Sequence, residues 1–497
     1  MDFLSIVIFI SGTIFFLQCL SFLLSRGSKK LPPGPKPLPI IGNLHLLGDQ
    51  PHKSMTTLAK TYGPLMTLKF GQITTIVVSS STLAKEVLQK QDLAFSSNRT
   101  VPDALRAIDH YKYSAIFLPI GPKWRTVRKM LNSFLFTNTK LDANKHLRIE
   151  KVNEFIEYCM RSAEKGEAVN IGLGAFTTAL NLVSNTLFSE DVAGWNNSDS
   201  SEEFNSWIRD IMVESGLPNL VDYFPMLRKL DPQGIRRRMA SAATKLLSFG
   251  EKIIDMRLKQ REQGNVKNDL LDVLLTSIEE HPQDIDKETI VHMILDMFVA
   301  GTDTSSNTVE WAMAEIVKNP YIMRKAKEEL ANVVGKGKTI EEDDIDNLPY
   351  LRCTVKETFR LHPVAPFLIP RKVGQDNVQV NGFTIPNGSQ VLVNAYAIGR
   401  DPSIWESPLK FKPERFWKSE IDVRGQNFEL IPFGAGRRIC PGLPLGIKMV
   451  HLMLGSLLNS FDWKLEGDII PKTLNMDERF GMVLQRAEPL LVVPLPC

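Results

Sequence analysis

Apolar positions follow three patterns along the chain. From Phe3 to Leu24 nearly every residue is apolar and none is charged. Coiled as a helix, such a run covers about 30 Å of hydrocarbon. "LMTLKFGQITTIVVSS", Leu65 to Ser80, alternates and carries β-branched residues on both sides of Gly71, which predicts a hairpin. "PNGSQVLVNAYAI", Pro386 to Ile398, opens on a turn and predicts a further strand. Most of the remainder has helical period. Asp286 to Lys318 is the longest predicted helix, stopped by Asn319-Pro320. Glu328 to Val334 and Leu348 to Leu361 predict two more, the second stopped by His362-Pro363. The pattern predicts a mainly α protein with a minor β-sheet region.

Two readings are open for the first apolar run, a membrane anchor or a cleaved signal peptide. The run begins almost at Met1, lacks a basic leader and has no clear small-residue cleavage site after it, which favours the anchor. Arg26, Lys29 and Lys30 follow it and Asp2 precedes it, so the bulk of the chain is expected to face the cytosol. "LPPGPKPLPIIGN", Leu31 to Asn43, cannot continue a helix; it predicts a stiff extended connector, or else an ordinary linker. The expected organisation is an anchor helix over 1–25, a basic and proline-rich hinge over 26–43, and one large domain over 44–497. No repeat or low-complexity tract divides that domain. Hydrophobic residues make up 43% and charged residues 23%, which suits one large core. Net charge is +3, from 59 basic and 56 acidic residues, too balanced for a nucleic-acid partner. Five widely spaced cysteines indicate a reducing compartment without a disulfide framework.

Four short motifs carry candidate chemistry. In "ETFR", Glu357 and Arg360 share one helix face at i, i+3. Alone they read as a solvated pair. With Arg415 from "FKPERFW" they make a carboxylate between two guanidiniums, suited to lock a buried corner. "AGTDTSS", Ala300 to Ser306, interrupts the apolar middle of the longest helix with residues that compete for backbone hydrogen bonds and can open the ladder. It reads either as a polar face or as a buried acid and hydroxyl forming a proton relay, Asp303 and Thr304. Trp124 and Arg128 in "WRTVR" share a face and either hold an anion or line a half-buried surface helix.

"IPFGAGRRICPG", Ile431 to Gly442, sets Cys440 among glycines and next to Arg437 and Arg438. Backbone amides and nearby positive charge favour a thiolate over a thiol. A lone thiolate suits a nucleophile, which needs a histidine base, or the single axial ligand of a metal macrocycle. The ligand role also asks for cations to meet macrocycle carboxylates; Arg128 and Arg438 are candidates.

These residues resemble the cytochrome P450 superfamily. Phe433, Gly436, Arg438, Cys440 and Gly442 match its haem-binding signature F-x-x-G-x-R-x-C-x-G; Glu357 and Arg360 match its E-x-x-R, and Arg415 its P-E-R-F. Ala300, Gly301, Asp303, Thr304 and Ser305 match its distal helix motif, and Trp124 and Arg128 its W-x-x-x-R. The set runs in the family's order over essentially the whole chain. The resemblance implies a cytochrome P450 fold, a single large domain with an N-terminal membrane anchor, and haem b between the long helix and the cysteine loop. It implies Cys440 as the iron's axial thiolate, a ligand that favours O–O cleavage. It further implies Phe433 and Gly434 against the haem, and Trp124, Arg128, Arg371 and Arg438 on its propionates. Thr304 and Asp303 would deliver protons during oxygen activation. Electrons would come from NADPH through NADPH–cytochrome P450 reductase, with the catalytic domain on the cytosolic side of the endoplasmic reticulum membrane and membrane lipid around the single anchor.

"LHLLGDQPHKS", "NLVDYFPMLRKLDPQGIR" and "LMLGSLLNSFDWKLEG" resemble the geraniol 8-hydroxylase group of plant microsomal members most closely. This implies NADPH- and O2-dependent hydroxylation of a small hydrophobic metabolite, a monoterpenol such as geraniol, with other terpenoids, phenolics, alkaloids or herbicides as alternatives. Carried over by position, the pocket residues are Ile116, Phe117, Asp296, Ala300, Val364, Phe367, Leu368, Met482 and Val483, unless several are simply core. Gly446 departs from the group's usual alanine. Two other classes remain in view, a haem-thiolate isomerase or dehydratase and a non-catalytic haem carrier; the intact Asp303-Thr304 pair counts against both.

Overall fold

The computed structural model describes residue 12 and residues 31–195, 198–280 and 285–496. The expected anchor over 1–25 lies outside them, Gly12 apart. Among the described residues, one helix is long and apolar enough to cross a membrane, Ile171–Phe188, but 78% of it is buried inside the protein. It is a core helix, packed along the longest one, Lys287–Lys318.

That long helix is the axis of the fold. Its start is set by Asp286, whose carboxylate accepts the Thr289 amide at 2.8 Å. It ends at Asn319, and Pro320 opens the next helix, Pro320–Val333, at the position where a missing N–H costs nothing. This second helix therefore begins well before the expected Glu328, because the proline acts as a start signal as well as a stop. Pro349–Leu361 follows close to expectation. One large apolar core joins the second half of the long helix to the helices Lys145–Lys165 and Leu443–Ser460. Another lies under its first half.

The predicted hairpin is present as strands Leu65–Phe70 and Ile73–Val78 about Gly71. It opens a five-stranded sheet completed by Gln390–Val393, Arg371–Lys372 and Asn98–Arg99. Ile73–Val78 pairs in parallel with Gln390–Val393; the other pairings are antiparallel. The strand expected over Pro386–Ile398 is only Gln390–Val393. Ala395–Ile398 is a helical turn, because the Asn394 side chain accepts the Ala397 amide at 3.0 Å and caps it. The proline-rich stretch does not stand free either. From Leu31 it lies along the sheet edge, where Pro33 O accepts the Thr67 amide at 2.8 Å. A Cβ on Gly34 would stand 1.9 Å from Thr67 O, so only glycine permits the approach. The boundary expected at residue 44 thus separates no two bodies.

Glu357 and Arg360 are a buried pair, not a solvated one. Both side chains are fully buried and joined by two hydrogen bonds of 2.7 and 2.8 Å. Arg415 Nε adds a third at 2.9 Å and the Lys412 amide a fourth at 2.7 Å. Arg360 also donates to the carbonyls of Pro408 and Lys410. One carboxylate thereby fastens the irregular 399–415 segment to the helix Pro349–Leu361. Glu357→Ala strands two guanidiniums away from solvent and is expected to cost about 3–5 kcal/mol of stability in denaturant unfolding. A loss below about 1 kcal/mol would place the triad with ordinary surface ion pairs.

Candidate active site

The cysteine loop is shaped by two left-handed glycines, Gly434 at φ 69° and Gly436 at φ 73°. A Cβ on Gly436 would meet Leu88 O at 2.1 Å, so the loop presses onto its neighbour. The Cys440 amide donates to Phe433 O at 3.0 Å, which closes the loop on itself. Cys440 is accessible while the two other described cysteines, Cys159 and Cys353, are buried. Protein nonetheless surrounds it closely enough that burial pushes its thiol pKa up, against the Gly442 and Leu443 amides and the positive charge of Arg128. A group both accessible and deeply surrounded faces an interior space. Among the described residues no histidine bonds to it. Without a base, and with its proton favoured, Cys440 is a poor nucleophile; a bound metal deprotonates such a thiol outright.

The long helix supplies an accessible strip. Ala300 is exposed and Gly301, Thr304 and Ser305 are half-buried, in the middle of a helix otherwise mostly buried. The expected opening of the ladder is not found; the helix is unbroken from Lys287 to Lys318. Its hydroxyls turn back onto carbonyls one turn earlier, Thr304 to Ala300 at 2.8 Å and Thr308 to Thr304 at 2.8 Å. They satisfy the helix without breaking it. Thr304 keeps acceptor capacity free on the accessible side.

Asp303 is not bonded to Thr304. Successive helical residues point about 100° apart, and Asp303 turns inward. It is 3% exposed and accepts from Gln485 Nε2 at 3.1 Å on each oxygen and from Asn307 Nδ2 at 3.0 Å. A handover between acid and hydroxyl therefore needs an intermediary.

Four guanidiniums gather near the cysteine loop: Arg371 and Arg438 are buried, Arg99 and Arg128 half-buried. Asp92 is the carboxylate among them, 3.6 Å from Arg371, an ion pair too long for a hydrogen bond. Arg438 donates to the carbonyls of Ser96 at 2.7 Å, Ile116 at 3.2 Å and Leu118 at 2.6 Å. Arg128 donates to Ile439 O and Arg99 to Ile369 O. Arg371 Nη1 and Arg99 Nε make no hydrogen bond. Burial and Arg371 push Arg438 down to about 10, and burial pushes Arg371 down to about 10 against the pull of Asp92. Burial and the neighbouring arginines lower Arg99 further. Unmatched buried cations of this kind call for anions. The donor set, one thiol and an arginine cluster with spare N–H groups, fits a metal macrocycle bearing carboxylates. Trp124 does not offer its N–H to an anion; Ala115 O takes it at 3.2 Å, and Arg438 lies 5.3 Å over the ring. Arg99 was not expected from the sequence. Its signal lies in the strand pair that sets it opposite Arg371, which only the sheet register reveals.

The proposed pocket residues divide. Val364 and Val483 form a small apolar cluster with Met212, joined by Met482 and by Val299; Met212 and Val299 were not foreseen. Ile116 and Phe117 belong to the neighbouring core. Leu368 approaches the cysteine loop at Gly434. Phe367 packs instead with Met66, Leu68 and Phe480 beneath the sheet. Asp296 is committed to a clasp: it accepts from His110 at 2.8 Å, Ser114 at 2.8 Å and the Ala115 amide at 2.9 Å. It tethers the 110–115 loop. At Gly446 a Cβ would touch the Phe433 ring at 3.7 Å, an ordinary contact, so an alanine also fits.

Burial pushes the Asp303 carboxyl up to about 6, with hydrogen bonds from Gln485 and Asn307 and the charge of Arg209 holding it partly back. The folded value lies above the unfolded one of about 3.9. The native chain holds the proton more tightly, so this group's contribution is full below about pH 4 and is lost as pH rises through about 6. Asp303→Asn keeps the shape and removes the titration. It is expected to be more stable than the parent above about pH 7, by about 1–3 kcal/mol in denaturant unfolding, with the gap closing below about pH 4. Parallel pH profiles would show that the carboxyl escapes this desolvation.

Comparison with known proteins gives a consistent picture. Residues 32–493 match the family described as Cytochrome P450. A geraniol 8-hydroxylase from Catharanthus roseus is 58% identical over 494 residues, covering 99% of both chains. A geraniol 8-hydroxylase from Swertia mussotii is 59% identical over 495 residues, covering 100% of this chain and 99% of the relative. A geranylhydroquinone 3''-hydroxylase from Arnebia euchroma is 54% identical over 475 residues, 95% of each.

Proposed function

The chain belongs to the cytochrome P450 family of haem-thiolate monooxygenases, and from that premise we propose that it hydroxylates a monoterpenol, with geraniol oxidised at C8 as the specific reaction. One observation carries the chemistry: an accessible cysteine, deep in the protein and flanked by amides and an arginine cluster, in a chain whose long helix exposes Ala300 and leaves Thr304 half-buried in its otherwise buried middle. The apolar cluster of Met212, Val299, Val364, Met482 and Val483 supports a small hydrophobic substrate.

In this reading Cys440 would hold the haem iron as a thiolate, and Arg99, Arg128, Arg371 and Arg438 would meet the haem's propionates. Bound there, the haem supplies the activation of dioxygen. The chain's own part is to hold and move protons and to exclude water. Amides of Gly442 and Leu443 steady the sulfur. Thr304 presents a hydroxyl to the distal space, and Asp303 resupplies it through an intermediary. The apolar cluster orients the substrate and keeps bulk water away. NADPH supplies electrons through a membrane-bound reductase, which docks beside the exposed Arg125 and Lys129 on the helix carrying Arg128. Residues 1–25 anchor the protein in the endoplasmic reticulum membrane, with the catalytic domain cytosolic.

Microsomes containing this chain, reductase and NADPH are expected to convert geraniol to its 8-hydroxy product. Conversion of other terpenoids or phenolics but not geraniol would overturn the substrate while leaving the enzyme class. In the reduced protein with carbon monoxide, a thiolate ligand gives a strongly red-shifted Soret band; Cys440→Ser should lose it, and an intact band would remove Cys440 from the iron.

Thr304→Ala should keep consuming NADPH while product falls and hydrogen peroxide rises. Losing the hydroxyl that positions the proton relay is expected to lower product formation by about tenfold to a thousandfold. The substrate-induced spectral shift should survive, since Cys440 and the apolar cluster are untouched. Full coupling in that variant would pass proton delivery to another group.

A further inference from the structure

Asp303 is a buried acid that no cation touches. Its side-chain partners are two neutral amides, Gln485 and Asn307. Arg209, exposed on the helix Ser198–Gly216, and Glu310, two turns along the same long helix, act on it only at a distance. The two amides are not equivalent. Asn307 Nδ2 also donates to Asp303 O at 2.7 Å, so turning its amide over would sacrifice a backbone bond. Gln485 Nε2 makes no such second bond; it sits 3.1 Å from both carboxylate oxygens. An amide that turns over presents its carbonyl where its N–H2 had been. Gln485 can thus donate to a carboxylate and accept from a carboxylic acid.

The backbone places that amide firmly. The Leu484 amide donates to Val364 O at 2.7 Å, and Leu484 O accepts from Trp311 Nε1 at 3.4 Å. Gln485 itself pairs with Arg479 in a short antiparallel ladder. It is 8% exposed, so the side chain is buried.

We infer that Gln485 is the positioning residue that allows Asp303 to exchange its proton, by offering a partner to both of its protonation states. The inference rests on the reading of Asp303 as the proton source for Thr304. A lysine or arginine in place of Gln485 would hold Asp303 as the anion, and an apolar side chain would hold it as the acid. Either one disables a group that must alternate. The neutral amide leaves both states hydrogen-bonded and neither strongly preferred.

Two substitutions that push in opposite directions test this. Gln485→Met keeps an unbranched side chain of similar size without hydrogen bonds; Gln485→Lys adds a cation. The direct readout is the infrared carbonyl band of protonated Asp303 in the resting holoprotein, identified by its absence in Asp303→Asn and followed against pH. Its midpoint is expected to move up in Gln485→Met and down in Gln485→Lys, by about one pH unit each way. The coupled fraction, product formed per NADPH consumed, should fall in both. In the Asp303→Asn background neither substitution should lower it further. Midpoints that stay put, or move the same way, overturn the inference. If Asp303→Asn uncouples turnover while both Gln485 variants couple normally, Asp303 keeps its role and Gln485 loses it. If Asp303→Asn stays coupled, the reading of Asp303 falls and the inference with it. Loss of the thiolate spectrum in Gln485→Met would make Gln485 a packing element and overturn the proposal. Should Gln485→Lys alone fail to fold, the Gln485→Met midpoint decides.

Discussion

Four guanidiniums gather beside the cysteine loop with Asp92 as the nearby carboxylate, which also pairs with Arg437 at 3.3 Å, and much of the surrounding structure follows from holding them there. Like charges in a poorly polarisable interior repel strongly, and a guanidinium does not escape by losing its proton. The chain answers with backbone carbonyls. Arg438 gathers those of Ser96, Ile116 and Leu118, Arg99 that of Ile369, and Arg128 that of Ile439. Ser96 ends the short helix Asp92–Ser96 and the other carbonyls lie in irregular segments, where a backbone acceptor still needs a partner. Three loops are thereby pinned to one knot of charge. They carry Ile116, Leu368 and Cys440, so the pocket wall and the thiol are located by the same cations. Anions that complete the knot would tighten all three loops together, and cofactor binding and the shaping of the pocket become one event.

Two buried acids show how charge matching separates structure from chemistry. Glu357 is balanced by Arg360 and Arg415 and by the Lys412 amide, and it fastens a corner. Asp303 has neutral amides for side-chain partners, and burial holds its carboxyl at about 6. The first arrangement buries a charge with its counter-charges; the second leaves an acid close to both of its states near neutral pH. The residues are equally buried, and their partners decide what each can do.

What the sequence made legible was local. Glycines, arginines and one cysteine inside twelve residues mark the cysteine loop, and Glu357 and Arg360 lie one helical turn apart. The long helix was readable to its cap because Asp286 and Asn319-Pro320 punctuate it. The errors have a common cause. The stretch Ala300 to Ser306 was expected to open the helix, yet the hydroxyls of Thr302 and Thr304 bond the preceding turn at no cost to the ladder. Asp296 enters the expected pocket only by its position in the resembled family; His110 and Ser114, nearly two hundred residues earlier, claim its carboxylate. Arg99, Met212, Val299 and Gln485 escaped altogether. Each acquires its place through partners from distant parts of the chain, and no spacing rule within one segment records that.

One segment joins the two functions that the site must combine. Met482 and Val483 line the apolar cluster, and Gln485, two residues on, holds the acid. The Met482 amide is bonded to Met212 O at 2.8 Å and the Leu484 amide to Val364 O at 2.7 Å, so the segment is stitched to two other walls of the cluster. A side chain that reshapes the cluster at position 482 pulls on the strand that aims Gln485. On the proposed reading, substrate selectivity and proton supply are mechanically linked through this segment. A change of substrate made by enlarging the pocket at 482 or 483 will carry a coupling defect unless the bonds of Leu484 to Val364 and Trp311 absorb the strain. On the proposed reading, Val364, which touches the same cluster from neither the long helix that bears Asp303 nor the strand that bears Gln485, offers the route by which selectivity can change while the relay stays in place, whereas Val299 sits on the acid's own helix.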